Sequence, residues 1–429
     1  MRLIGRALLF VAFAALSAGC GQVERTRLAV SARHDSAIAR LKTVPAPVKP
    51  APADDAVEIR IPDFVEVRRA LRKGDLAPLK AYLPEVMHRY DDGEISERTV
   101  ERALHPLHAV LPQVLGPLDA WIAESPHENA AWLARGVVRS QLAFEARGVD
   151  FFKYVRREDM LRMNELYALA ADDFVRSIEL SKRPIPSIVG LISMAPVVGF
   201  MRKQARLLFA EAQRLEPASS MLYSSYASIL WGTWGRATIP QMERFVADAR
   251  RDGVDYAAWG HIEQVLFGIN HGNAFRNPRA ELAHNIDACA KRDEFNCWFR
   301  RYELELELNL LDDAERSITA ALRLRPDHIE ALEQRAQLYE RRGMLPQARE
   351  TLEHAASRES GWAYAKLIYA HNTGNGLGIQ KDEVKARLLA EEAAGMHIAA
   401  GADALSWFYQ AGTGIRDCLP PSPSRRAPP

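Results

Sequence analysis

The sequence has few of the motifs from which an enzymatic reaction can usually be identified. Its 429 residues include four cysteines, and no CxxC pair or Cys/His set has the spacing of a zinc site. No Gly-x-Ser-x-Gly motif and no Cys/His dyad spacing is present. Lys and Arg number 56 against 55 for Asp and Glu, so the basic excess that phosphate binding needs is missing. We therefore predict no catalytic residue, no metal, no cofactor and no nucleic-acid partner.

The N-terminus has the order of parts of an export signal. Arg2 and Arg6 precede an apolar run that is short for a membrane span, and small residues lead from the run to Cys20. Small residues before a Cys resemble the lipobox of bacterial lipoproteins, although Ser17 stands where that motif usually has Leu. The resemblance implies a signal peptide over residues 1–20, lipidation of Cys20, and a place on the periplasmic side of the outer membrane. An ordinary secretory signal, which would give a soluble periplasmic protein, is the alternative.

A stretch rich in Pro and Ala follows the signal. The sequence "TVPAPVKPAPADDA" at 43–56 is typical of an extended spacer. We expect residues 21–57 to link the anchor to the folded body, and residues 417–429 to be a disordered tail.

Two of the remaining cysteines are close in sequence. Cys289 and Cys297 have a separation that suits the end of one helix and the start of the next, so they could pair in an oxidising periplasm. Two buried free thiols are the alternative.

Repeats are the clearest internal signal. From residue 61 onward, apolar side chains recur at spacings of three and four residues, which predicts helices. "AERSITAALRLRP" (314–326) matches "ARETLEHAASRES" (348–360) in pattern, and the two begin 34 residues apart. Tyr339 and Gly343 fall where a tetratricopeptide repeat (TPR) keeps its aromatic residue and its turn glycine. The resemblance implies an all-α fold, a TPR-like right-handed helical solenoid (an α-α superhelix).

The period changes near the C-terminus. Residues 365–382 and 403–415 align with an offset of 38, and each contains Gly-rich loop positions, which we interpret as backbone that needs positive φ. This pattern resembles the Sel-like variant of the TPR. We therefore divide the folded body into a helical domain at 58–290, a TPR pair at 291–360 and Sel-like repeats at 361–416.

The central domain resembles a known family in three stretches. They are "WLARGVVRSQLAFEARG" (132–148), "MLRMNELYALAADDFVRSIEL" (160–180) and "LWGTWGRATIPQMERF" (230–245). They are similar to a bacterial family known as a domain of unknown function, number four-zero-three-four. The last stretch departs from the family's usual Arg-Trp-Gly-Gly-Ser. The resemblance implies no activity.

Two tryptophans in the last of those stretches raise a binding question. Trp231 and Trp234 are three residues apart, which places them on one face of a helix end. The simplest interpretation is a plug between packed helices, because aromatic side chains carry a large apolar area. The alternative is an aromatic floor of the concave face, with Arg135 as a charged neighbour.

The TPR resemblance also implies a binding row. The first helix of each TPR pair lines the concave face, and the matching positions here are Asn296, Phe299, Glu303, Glu330, Glu333, Gln337, Glu340 and Tyr364. The row is acidic with aromatic ends, which predicts a basic or amine-bearing protein or peptide partner; a solvated charged face is the alternative. We expect a scaffold or adaptor. An immunity-type lipoprotein that neutralises a secreted bacterial effector, or an enzyme with a pocket in the central domain, are the other hypotheses.

Overall fold

A computed structural model describes residues 25–26, 28–45, 57–108, 112–148, 155–198, 202–230, 237–270, 278–290 and 293–411. Within these ranges the regular elements are helices and no strand occurs, so the predicted all-α fold is confirmed. The chain forms two compact units, which divide between Asn270 and His271. Cys20, Trp231, Trp234 and the predicted tail lie outside the described ranges.

Unit 1 is built from helices. In its described part they are α1 (28–41), α2 (Phe64–Arg72), α3 (Ala77–Asp91), α4 (Glu97–Leu104), α5 (Leu115–Glu124), α6 (Asn129–Arg147), α7 (Arg157–Leu180), α8 (Ile185–Val198), α9 (Arg202–Leu215), α10 (Ser220–Leu230), α11 (Ile239–Arg251) and α12 (Gly260–Asn270).

The centre of unit 1 depends on two glycines. The ring of Phe174, on α7, is 1% exposed and lies against Gly136 of α6 and Gly190 of α8. A Cβ atom at Gly136 would lie 2.8 Å from that ring, and one at Gly190 would lie 2.4 Å from it. The missing side chains therefore let three helices pack around one aromatic ring.

The predicted spacer needs correction at its start. Residues 28–41 form α1, and Val30, Ala37 and Leu41 are fully buried. Their spacing of seven and four residues is that of one helix face, so this face packs in the core of unit 1 as other amphipathic helices do. The Pro-rich residues 46–56 lie outside the described ranges.

Unit 2 is a TPR-like array of helical hairpins. Its helices are α13 (Pro278–Cys289), α14 (Phe295–Glu307), α15 (Leu311–Leu324), α16 (Ile329–Arg341), α17 (Leu345–Ser357), α18 (Gly361–Thr373), α19 (Glu383–Gly395) and α20 (Ala399–Ala411). Residues 278–289, which the sequence analysis places in the central domain, form α13 and pack on α14 within this unit.

The repeat of 34 residues is visible in the backbone of unit 2. Asn309 and Gly343 occupy matching turns, with φ of 59° and 70°, where left-handed backbone reverses the chain. The alanines at positions 314, 321, 348 and 355 are all fully buried. Their small side chains let the second helix of each pair approach its neighbours closely.

The Gly-rich loop between α18 and α19 also has the expected backbone. Gly374, Gly376 and Gly378 have φ of 72°, 85° and 61°. The loop returns to α18, since the Asp382 amide donates to the carbonyl of His371 at 2.6 Å. A side chain at Gly374 would lie 3.1 Å from the amide nitrogen of Lys381, so both the φ and the close approach favour glycine there.

Candidate partner-binding surface

The predicted binding row lies on α14, α16 and α18, the first helices of three successive pairs. On α14 the side chain of Glu303 is partly exposed, and on α16 Glu330 is exposed while Glu333 and Gln337 are partly exposed. The Tyr302 hydroxyl donates to the Gln334 carbonyl at 3.0 Å, which holds α14 against α16. These two helices therefore present one continuous surface, which we call the acidic surface.

Three carboxylates on the acidic surface interact with one another. Glu303 accepts a hydrogen bond from Arg300 at 2.7 Å, and Glu333 accepts one from the Ser360 hydroxyl at 2.5 Å. Partial burial raises the pKa of Glu330, and the negative charges of Glu303 and Glu333 raise it further. A cation brought to Glu330 would offset this repulsion.

Aromatic rings lie at one end of the acidic surface. Phe299 stacks on Phe295 at 5.4 Å and on Tyr302 at 6.0 Å between ring centroids. The His328 ring lies 4.4 Å from that of Phe295. Burial, helped by the charge of Arg325, lowers the pKa of His328 to about 4, so this ring is neutral at pH 7. Arg325 lies over the Phe295 ring, 5.0 Å from its centroid, and Phe295 is 6% exposed, so of these two phenylalanines only Phe299 is partly exposed.

The prediction that Tyr364 contacts a partner is wrong. Its side chain is 3% exposed, packs in the core of unit 2, and donates its hydroxyl to Glu392 at 3.0 Å. The carboxylate of Glu340 already forms an ion pair with Lys366, at 2.9 Å. The open part of the predicted row therefore ends at Gln337 on α16.

Arg135 does not serve as a charged neighbour of an open face. Its guanidinium lies 2.7 Å from Asp119 and 2.6 Å from Asp173, and Asp173 also accepts from Arg139 at 2.8 Å. The Arg135 side chain is 13% exposed and that of Asp173 is 1% exposed. Burial raises the pKa of Asp173, and the two guanidinium groups oppose this effect. These ion pairs join α5, α6 and α7, and we interpret them as structural.

Among known proteins, the chain is similar to solved helical-repeat structures. No family model matches the chain, and no curated protein matches it. Among solved structures it is similar to a Sel1 repeat protein from Oxalobacter formigenes, with 13% identity and a TM-score of 0.37, over 86% of this chain and 99% of that one. It is also similar to a protective antigen present in uropathogenic Escherichia coli strains that displays an SLR fold, with 15% identity and a TM-score of 0.34, over 82% and 84%. At these TM-scores the fold assignment rests on the helices of this chain.

The disulfide lies beside the first helix of the acidic surface. Cys289 is the last residue of α13 and Cys297 is in the first turn of α14; their sulfur atoms are bonded, with 5.8 Å between the Cα atoms. Trp298 follows, and its indole nitrogen donates to Asp293 at 2.8 Å. The bond therefore ties α13 to α14 next to the acidic surface.

A buried polar cluster in unit 1 has no counterpart in the sequence predictions. Arg183 and Glu216 form an ion pair and are 3% and 4% exposed. The carboxylate of Glu97 accepts from the Met221 amide at 3.1 Å, and burial raises its pKa to about 7. Burial also raises the pKa of Tyr90 well above its ordinary value. These residues belong to different helices and connections, so no local motif could have indicated them.

In the part of the chain that the structure describes, no group of three or more His, Cys, Asp or Glu side chains is placed to hold a metal ion. None of the described helices combines the length and the apolar character needed to cross a membrane.

Proposed function

We propose that the chain is a scaffold that binds a protein or peptide partner on the acidic surface and recognises a basic or amine-bearing segment. The exposed carboxylate of Glu330, beside the partly exposed Glu303 and Glu333, carries this proposal, because neighbouring negative charges attract a positive charge. The partly exposed ring of Phe299 supports it, since aromatic faces attract Lys and Arg side chains.

We also propose that the protein is lipid-anchored through Cys20 on the periplasmic side of the outer membrane. The charged, apolar and small-residue order of residues 1–20 supports this location. The disulfide between α13 and α14 supports an oxidising compartment. In that setting the partner is a secreted or envelope protein.

Capture from an envelope extract tests the binding proposal. The bait is the chain from residue 21, and we expect one stoichiometric partner whose binding weakens as salt is raised. Glu330→Lys reverses one charge of the acidic surface and should weaken binding about ten-fold. The matched control is Glu350→Lys on the exposed side of α17, outside the row, which should bind like the wild type.

Equal affinity of the wild type and Glu330→Lys for the captured partner would contradict the proposal. Circular dichroism and thermal melting must show that both variants are folded. A captured toxin would favour the immunity-type hypothesis over an adaptor, because the same surface would then neutralise its ligand. A bait that captures no protein at high coverage of the extract would remove the scaffold hypothesis.

A further inference from the structure

The segment at residues 28–45 is docked on unit 1, and we call it the clasp. Its buried side chains are those of Val30, His34, Ala37, Ile38, Leu41 and Val44, all at most 9% exposed. They follow one face of α1 and continue into the turn after it. A free spacer would leave such a face in water, so the packing identifies the clasp as part of the folded body.

Polar contacts to α7 and α8 fix the position of the clasp. Arg33 makes a bidentate ion pair with Asp172 of α7, at 2.6 and 2.9 Å. The Nε2 atom of His34 lies 2.9 Å from the carbonyl oxygen of Leu191 on α8. These contacts join residues more than 130 positions apart in the sequence, so the clasp is held at one defined position on α7 and α8.

Contacts to α9 define the direction of the clasp. Gln204 donates to the Ser31 hydroxyl at 3.1 Å, and Arg214 donates to the Leu41 carbonyl at 2.9 Å. Both contacts have the same sequence separation of 173 residues. Therefore α1 and α9 run parallel and in register, and their N-terminal ends lie at the same end of unit 1.

That end carries basic and apolar side chains at the surface. Lys203 and Arg206 are exposed on α9. Leu28 is 56% exposed at the start of α1, and Leu207 is 36% exposed on α9. Basic side chains beside exposed leucines suit the interface of an anionic lipid membrane.

We propose that the clasp holds the lipid anchor against unit 1, so that the end formed by the starts of α1 and α9 rests on an anionic lipid surface. This inference rests on the proposed anchor at Cys20. Residues 21–24 then link the anchor to the helical residues 25–26 and reach at most about 14 Å, whereas a free spacer over 21–57 would reach about 130 Å. Because the clasp is docked, the linker to the anchor is short and unit 1 has a fixed orientation relative to the membrane.

Hydrogen exchange on the full chain tests whether the clasp is docked. We expect slow exchange of the amides of residues 32–41 in the wild type. Leu41→Glu places a charge in the buried face and should bring these amides to the rate of an unfolded segment. Arg40→Glu changes the exposed neighbour on the same helix and should leave the protection intact. Fast exchange in the wild type would overturn the proposal.

Energy transfer from the lipidated chain to labelled lipid tests the orientation. A fluorophore on Ala210→Cys, an exposed position of α9, is placed in a Cys418→Ser background, and the protein is inserted in phosphatidylglycerol vesicles. We expect strong transfer for the wild type and for Arg40→Glu, and transfer near background for Leu41→Glu. Lys203→Glu combined with Arg206→Glu should also weaken transfer, because it removes the basic contacts with the headgroups.

Flotation with the vesicles separates the two proposals. If the wild type does not float, or if Cys20→Ala floats equally well, the anchor in the proposed function fails and the inference fails with it. If the wild type floats through Cys20 but Leu41→Glu leaves transfer unchanged, the anchor stands and the clasp orientation is refuted.

Discussion

Replacing Glu97 by Gln should stabilise unit 1 above pH 7 and leave its stability unchanged at pH 4. Glu97 begins α4, and its Oε1 atom is buried without a hydrogen-bond partner in the described part of the chain. Burial raises the pKa of this carboxyl from its ordinary 4.5 to about 7, the charge of Glu216 raises it further, and hydrogen bonds from Ser219 and Met221 oppose these effects. Glutamine keeps an oxygen acceptor for the Met221 amide and carries no charge.

The magnitude follows from the two pKa values. They differ by about 2.5, and each unit corresponds to about 1.4 kcal/mol, so the ionised carboxylate destabilises unit 1 by about 3 kcal/mol. The folded state holds the proton more tightly than the unfolded state. The loss is therefore absent below pH 4.5, grows as the pH rises from 4.5 to 7, and is complete above pH 7.

Urea denaturation of the full chain at pH 4, 6 and 8 measures this effect, followed by hydrogen exchange of unit 1 amides to assign the transition to unit 1. Glu101→Gln, on the exposed side of the same helix, is the matched control and should change stability by less than about 0.5 kcal/mol at each pH. If Glu97→Gln and the wild type have the same stability at pH 8, the burial argument is refuted. The same holds if the variant is equally stabilised at pH 4 and pH 8.

Three further changes probe the disulfide of unit 2 and the packing around two of its glycines. Reduction of the disulfide between α13 and α14, which closes a sequence separation of 8, should destabilise unit 2 by about 2.5 kcal/mol in urea denaturation. Gly401→Ala would put a Cβ atom 2.3 Å from a backbone nitrogen of α19 and should destabilise unit 2 by about 2 kcal/mol. Gly395→Ala meets no atom within 4 Å and should be neutral or slightly stabilising, as a thermal melt of both variants would show.

The hairpins of unit 2 could be predicted because their signals are local. Each repeat places small residues at fixed positions and a turn residue after the first helix, so alignment of the chain with itself finds them. Ala314, Ala348 and Gly343 show this: each is required by a contact or a φ value within its own repeat. The same logic located the left-handed glycines of the loop after α18.

The helix of the clasp could not be predicted because the Pro-rich composition that follows it suggested an extended spacer. The Pro-rich residues at 43–56 suggested a spacer, and the extension of that spacer back to residue 21 ignored the apolar positions of α1. Val30, Ala37 and Leu41 are too few for a strong periodic signal on their own. Their helix is stabilised by the surface of α7, α8 and α9, which comes from more than 130 positions later in the chain.

Glu97 and Arg183 show a second limit of the sequence. Neither stands in a motif, and the burial that raises the pKa of Glu97 depends on how α4 packs near the start of α10. Charged residues of this kind are mostly exposed, so a sequence pattern assigns them to the surface. Only the tertiary structure separates a buried carboxyl from a solvated one.

A change of spacing between successive first helices limits the candidate site. α16 begins at Ile329 and α18 at Gly361, 32 residues later, so Tyr364 matches Leu332 rather than Glu330. Leu332 and Tyr364 are both buried, whereas Glu330 is exposed. The acidic surface therefore covers α14 and α16 and stops before α18. Two helices side by side, each about 10 Å wide, span about 20 Å, and an extended segment advances about 3.4 Å per residue, so about six residues of a partner span the surface. With so few partner residues engaged, each charge contact carries a large share of the affinity, which is why reversal of the single charge at Glu330 is a sensitive probe of binding.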